Sequence, residues 1–165
     1  VALREESCKA LARRGLAAER ERRDVPALLE AIADGEAAGL PEEELADARA
    51  YLRVVVAGLL DEAIAARGIP ALQGALDHAS KAGFGPDADA KAKLAAEALA
   101  EEERKAAARA ALAKAAAQRD REALKAAIQE AEAAGVSHSE ERAEPELSNA
   151  VKVLAEEERK AAAVQ

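Results

Sequence analysis

The sequence predicts an all-α protein made of antiparallel helical hairpins in which short and long helices alternate, about six helices in all, as a solenoid or a compact bundle. Three observations carry this. A stretch of constant length recurs at 24–39, 68–83 and 120–135, each with a leucine four residues in (Leu28, Leu72, Leu124), an Ile or Leu four further on, and a closing glycine. The ten residues LAEEERKAAA at 99–108 return unchanged at 154–163, an internal duplication. Half the residues count as hydrophobic, but alanine dominates, with one Tyr, one Phe and neither Trp nor Met. Ala, Leu, Arg, Lys and Glu are the strongest helix formers, so such a chain leans on intrinsic propensity and close packing more than on large buried side chains.

At 165 residues the chain is expected to form one helical-repeat domain, with a partial repeat over 1–23 and repeats over 24–67, 68–119 and 120–165. Leu28, Leu72 and Leu124 are spaced by 44 and then 52 positions, so the variation lies in the long helices and loops while the short helix is constant.

Residues 1–23 read as one continuous helix. Shifted by 96 positions it falls on 97–119, with Lys9 on Lys105 and Leu16 on Leu112. The chain is thus expected to open on the second helix of a repeat whose first helix lies outside the sequence. Val1 in place of Met is read as a processed chain or part of a longer one.

Asp24 is the N-cap of the first short helix, and Pro26 fits its first turn, where the amide it lacks would have no intrahelical partner. Val25, Leu28, Leu29 and Ile32 form its inward stripe. Gly39 is expected at positive φ, with Leu40 folding back onto the last turn as in a Schellman stop. Pro41 then opens a helix to about Arg67, with Glu42, Glu43 and Glu44 at its positive end. Its stripe of Leu45, Ala48, Leu52, Val55, Leu59 and Ala63 is widened by Val54, Val56, Leu60 and Ile64. So broad an arc favours more than one neighbour and hence a layered solenoid. Gly58 within it is expected at a close helix contact.

The next short helix carries Pro70 in its first turn and Ile69, Leu72, Leu76 and Ala79 inward, with Phe84 in the place of Leu40. The turn at 83–87 leads into a long helix over 87–119. After the third short helix Val136 takes Leu40's place, and Ser137 with Glu140 reads as a capping box. An irregular, charged segment over 139–146, broken by Pro145, precedes a last helix over 146–163.

The same residues bound the function. A net charge of -8 and a pI near 5 argue against nucleic acid, which requires a concentrated cationic surface. The Arg13–Arg14, Arg20, Arg22 and Arg23 run is interrupted by Glu19 and Glu21 and reads as a solvated mixed-charge face. No apolar run reaches the roughly 18 to 20 residues that span a bilayer, and no signal sequence opens the chain. A soluble chain, intracellular or organellar rather than secreted, is expected.

Cys8 has no second cysteine to pair with and reads as a small buried apolar residue. His78 is expected to be partly buried and His138 to lie in a loop; without further ligands they make no zinc site. Asp87 and Asp89 open like a calcium loop, but Lys91, Ala92 and Ala98 occupy positions that require oxygens or glycine. The carboxylates at 42–44, 101–103 and 156–158 read as solvated surface beside Arg104–Lys105 and Arg159–Lys160. No nucleophile-elbow, phosphate-loop or dinucleotide motif is present. The expectation is therefore no catalytic, cofactor-binding or metal-binding residue, no cofactor, no small-molecule ligand, and no enzyme.

The alternation of short and long helices resembles the helical-hairpin solenoids that include TPR and HEAT repeats, although the period of 34 and the aromatic positions of TPR are missing. The phrase running from Ala123-Leu124 through Ala127-Ile128 to Gly135-Val136, together with LAEEERKAAA, resembles more closely the Ala/Glu-rich helical repeats of large protist and algal proteins. That resemblance covers nearly the whole chain and implies a scaffold with no defined ligand.

The function expected is a non-catalytic scaffold or accessory subunit that mediates protein–protein interaction. One alternative is a helical carrier with an Ala-lined groove for a lipid or pigment. Another is an engineered repeat protein, which the unequal periods, Cys8 and the irregular third loop disfavour. Partner chains, or a missing part of this one, are expected on at least one of the terminal helices, where Leu3, Leu11 and Leu16 at one end and Val151, Val153 and Leu154 at the other lack a covering helix.

Overall fold

The computed structural model describes residues 2–136 and 144–163, the side chains from Arg4 onward. The described residues are all-helical, with seven helices where about six were expected. Long helices are α1 (Ala2–Arg22), α3 (Glu42–Ala66), α5 (Ala90–Gln118) and α7 (Pro145–Ala163). Short ones are α2 (Val25–Ala37), α4 (Ile69–Lys81) and α6 (Arg121–Ala133), each of 13 residues.

The recurring stop is the same in all three short helices. Gly39, Gly83 and Gly135 have φ of +72°, +78° and +80°. The next residue donates its amide back to the carbonyl five positions earlier: Leu40 to Gly35 at 3.0 Å, Phe84 to Ala79 at 2.7 Å and Val136 to Ala131 at 2.9 Å. These are Schellman stops, and they satisfy carbonyls that the helix end leaves open. The starts are equally local. Asp24 accepts from the Ala27 amide at 3.2 Å, and Asp120 from the Glu122 amide at 3.0 Å.

At each passage from a long helix to a short one stands a device that the pattern did not reveal. Arg23, Arg67 and Arg119 have φ of +56°, +53° and +54°, each directly before the cap residue Asp24, Gly68 or Asp120. Each still donates its amide four residues back, to Glu19, Ala63 and Ala115. One left-handed residue between a helical turn and an extended cap turns the chain within a single position. For a non-glycine residue that conformation costs about 1 to 2 kcal/mol.

Two helix starts differ from expectation. The long fifth helix begins at Ala90 and not at 87, because Gly85 accepts amides from Ala88 and Asp89 in a separate turn. Asp89 then caps the helix, accepting from the Lys91 amide at 2.9 Å and the Ala92 amide at 3.3 Å. Pro145 does not break the segment before α7; it is the first residue of that helix, where a missing amide costs nothing. The Ser137–Glu140 capping box and His138 lie outside the described residues.

The contacts form two compact units, residues 1–99 and 100–165. In the first, α2 packs on α1 and α3, and α4 packs on α3. Its core includes Leu16, Leu28, Leu52, Leu60, Leu72 and, from the start of α5, Ala92 and Ala95. The second unit buries Leu112, Leu124, Ala131, Val136, Leu147 and Val153, with α6 on α7. Leu28, Leu72 and Leu124 are each 0% exposed, equivalent core positions as the repeat predicts.

Along α3 the stripe from Leu45 to Ala63 is inward, but Val54 is 62% exposed and does not widen it. Gly58 is not at a helix contact either, since a Cβ built there meets nothing within 4 Å. The close approach belongs to Gly35 of α2, whose Cβ would stand 3.1 Å from both Leu40 and Leu45 and 3.7 Å from Leu16.

Candidate interaction surface

The seam between α1 and α3 is polar and specific. The Arg13 guanidinium donates two hydrogen bonds to Glu44, from Nε at 2.8 Å and from Nη2 at 2.9 Å. Two turns along α3, the Tyr51 hydroxyl donates to the Arg20 carbonyl at 2.6 Å, with the Arg20 guanidinium 5.1 Å from the ring centre. Planar two-bond pairing fixes orientation as well as attraction. It holds the Glu44 carboxyl below the usual glutamate range and raises Arg13.

The second unit repeats the Arg–Glu pairing, with the arginine 96 positions and the glutamate 100 positions further on. Arg109 grips Glu144 through Nε and, at 2.6 Å, Nη2, and that contact likewise lowers Glu144 and raises Arg109. Lys9 passes by Gly39 and Lys105 by Gly135, with Cε 4.0 Å and 3.9 Å from where a Cβ would sit. A cation beside the carbonyl end of a short helix is favourable to its dipole.

The acidic clusters are engaged by neighbouring cations. Lys105 bonds Glu101 at 2.8 Å, Arg119 reaches Glu156 and Glu157, and Lys160 bonds Glu157, whose carboxyl is lowered chiefly by that contact. Among the described residues no three His, Cys, Asp or Glu side chains converge as a metal cluster would. His78 is half-buried, with Nδ1 lacking a hydrogen-bond partner, and Asp89 is occupied as a helix cap. No described helix is long and apolar enough to cross a membrane.

Cys8 is exposed, against the expectation that it is buried. It stands one turn before the buried Ala12, but the end of α2 offers only Ala37 and Ala38 there, too small to cover the thiol. With Leu11, Ala12 and Gly15 it lines a groove of about 390 Å³ between α1 and α2, whose other wall is Ala31, Asp34, Ala37 and Ala38.

Of the terminal apolar residues, Leu16 is 8% exposed and Val153 9%, both covered within the chain. Val151 and Leu154 are partly buried, and the Leu3 side chain is outside the described set. Leu11 alone of the group stands out, at 65% exposed. The repeat explains its type. Shifted by 44, Leu11 falls on Val55 and Cys8 on Leu52, which α3 buries to 5% and 3%. An apolar position that is covered on α3 is therefore open on α1.

A second groove, of about 670 Å³, runs between α2 and α3 and is lined by Leu29, Ile32, Ala50, Val54, Ala57 and Phe84 among others. Sequence reasoning assigned Val54 to the core and missed this surface. The signal available was the excess of apolar residues on α3, more than its two short neighbours can cover.

No family model, no curated protein and no solved structure matches this chain.

Proposed function

We propose that this chain is a non-catalytic scaffold or accessory subunit that holds other protein chains, with the outer face of α1 as its contact surface. One observation carries the reading: Leu11 is 65% exposed at the register where Val55 of α3 is 5% exposed. The face of α1 that keeps this apolar side chain in solvent is the one on which α3 receives α1 itself, through Tyr51 and Glu44. Its occupant is accordingly a helix of the same repeat type. A solenoid of stacked antiparallel hairpins belongs to the same proposal. The engagement of Glu44, Glu101 and Glu157 by neighbouring cations supports a structural use of the carboxylates and not a catalytic one.

The test uses Cys8 as a natural handle, since it is exposed, is the chain's single cysteine and lines the groove beside Leu11. A photo-crosslinker attached there should capture a helical segment of another protein chain, and Leu11→Asp should abolish the adduct. A chain that sediments as a monomer and yields no such adduct in its native extract removes the proposal.

A carrier is the second reading, favoured by the largely apolar groove between α2 and α3. It requires a gain in heat stability when the delipidated protein is given apolar ligands.

A further inference from the structure

The α2/α3 groove has a chemistry of its own and shares no residue with the α1/α2 groove. Its walls are two helices of the first unit: Leu29, Ile32, Ala33 and Glu36 on α2, and Ala50, Arg53, Val54 and Ala57 on α3, with Phe84 at one end. Val54 is 62% exposed, in a chain that otherwise buries most of its large apolar side chains.

Two arginines stand along the rim, and they are used differently. Arg49 is neutralised twice, by Glu36 and Glu42, each at 2.6 Å. Arg53, one turn on, lies over the Phe84 ring with its guanidinium carbon 4.6 Å from the centre. Among the described residues it meets no carboxylate. An arginine stacked on an aromatic face is held in place while its in-plane N–H groups stay available. The chain is net acidic and the neighbouring Arg49 is already neutralised, so an oriented cation at the edge of this groove is a charge that calls for a complement.

The shape selects among carboxylate ligands. The lining residues span about two helical turns, or about 12 Å of helix. A groove open along its length leaves a small ligand mostly in water, whereas small-molecule sites enclose most of their ligand. A furrow between two packed helices matches the ridge of a third. We infer that the α2/α3 groove seats a two-turn amphipathic helix of a partner protein, its apolar residues at i, i+3 and i+7 resting on Leu29, Ile32 and Val54, and one Asp or Glu pairing with Arg53.

The experiment selects a displayed library of helical peptides, apolar at i, i+3 and i+7 and random elsewhere, on the full chain. Selected peptides should share an acidic residue at one register. Each should lose about tenfold or more in affinity on Val54→Asp and on Arg53→Glu. Exchanging the selected acid for Lys should restore binding to the Arg53→Glu chain. Val54 and Arg53 are both exposed, so circular dichroism should show both variants folded; if Val54→Asp is not, Arg53→Glu with its Lys rescue decides alone. Failure to select a binder, binders without an acid preference, or binders indifferent to Arg53→Glu overturn the inference. So does oleate that binds the chain and is lost on Arg53→Glu while no peptide is selected, which assigns the groove to a small carboxylate.

Discussion

Arg13 of α1 and Glu44 of α3 face each other through two parallel hydrogen bonds at 2.8 and 2.9 Å, and Arg109 and Glu144 repeat that relationship in the second unit. In both, the cation holds the carboxyl below its usual range. A carboxyl with a depressed folded-state pKa contributes stability that is present above its ordinary value, about 4.3, and is lost as pH falls through the folded value. Stability to urea should therefore fall as the pH is lowered from about 4.5. The double variant Glu44→Gln, Glu144→Gln should show a shallower fall. An unchanged slope would mean that the paired geometry does not persist in solution.

The equivalence of Leu28, Leu72 and Leu124, all 0% exposed, makes a quantitative expectation. Leu72→Ala and Leu124→Ala should each cost about 2 to 5 kcal/mol. Alanine-rich surroundings cannot collapse far into the space, because their side chains end at Cβ. Denaturant midpoints of the two variants check this, and a loss well under 1 kcal/mol in both would contradict it.

Backbone handedness offers a paired test. Gly135 at φ +80° has no Cβ to strain, so Gly135→Val should destabilise by more than about 1 kcal/mol. Arg23 at φ +56° is the opposite case, and Arg23→Gly relieves a side chain from the same region of backbone space. The greater freedom of glycine in the unfolded chain offsets part of that relief, and the expected net change is between about 0 and +1 kcal/mol in stability. Thermal denaturation of the pair should move in opposite directions or leave Arg23→Gly unchanged.

Two helix-interior glycines should also respond with different sign. A Cβ at Gly58 meets nothing within 4 Å, so Gly58→Ala should stabilise by about 0.5 to 1 kcal/mol through helix propensity alone. At Gly35 the new methyl would stand 3.1 Å from Leu40 and Leu45, which must shift to admit it. Gly35→Ala should therefore gain less than Gly58→Ala, or lose stability. The measurement is the difference in urea midpoint between the two.

The sequence by itself determined the three short helices, their glycine stops, the Asp24 and Asp120 caps, and the three equivalent leucines. Those features rest on interactions within about one turn of the chain: Asp24 and Asp120 bond amides two or three residues ahead, and the stop glycines close rings of six residues. Tertiary structure decided which side of each helix is covered. Periodicity marks Cys8, Leu11 and Val54 as apolar positions like their buried neighbours, yet all three are exposed because no described helix lies over them. It placed a close contact at Gly58 that occurs at Gly35, since a glycine's neighbours come from other helices. The left-handed Arg23, Arg67 and Arg119 escaped notice for a related reason: arginine has no preference for that conformation, and only the need to turn the chain between packed helices imposes it. The Arg13–Glu44 and Arg53–Phe84 contacts join residues 31 positions apart in each case, and such distances are bridged only once the helices have packed.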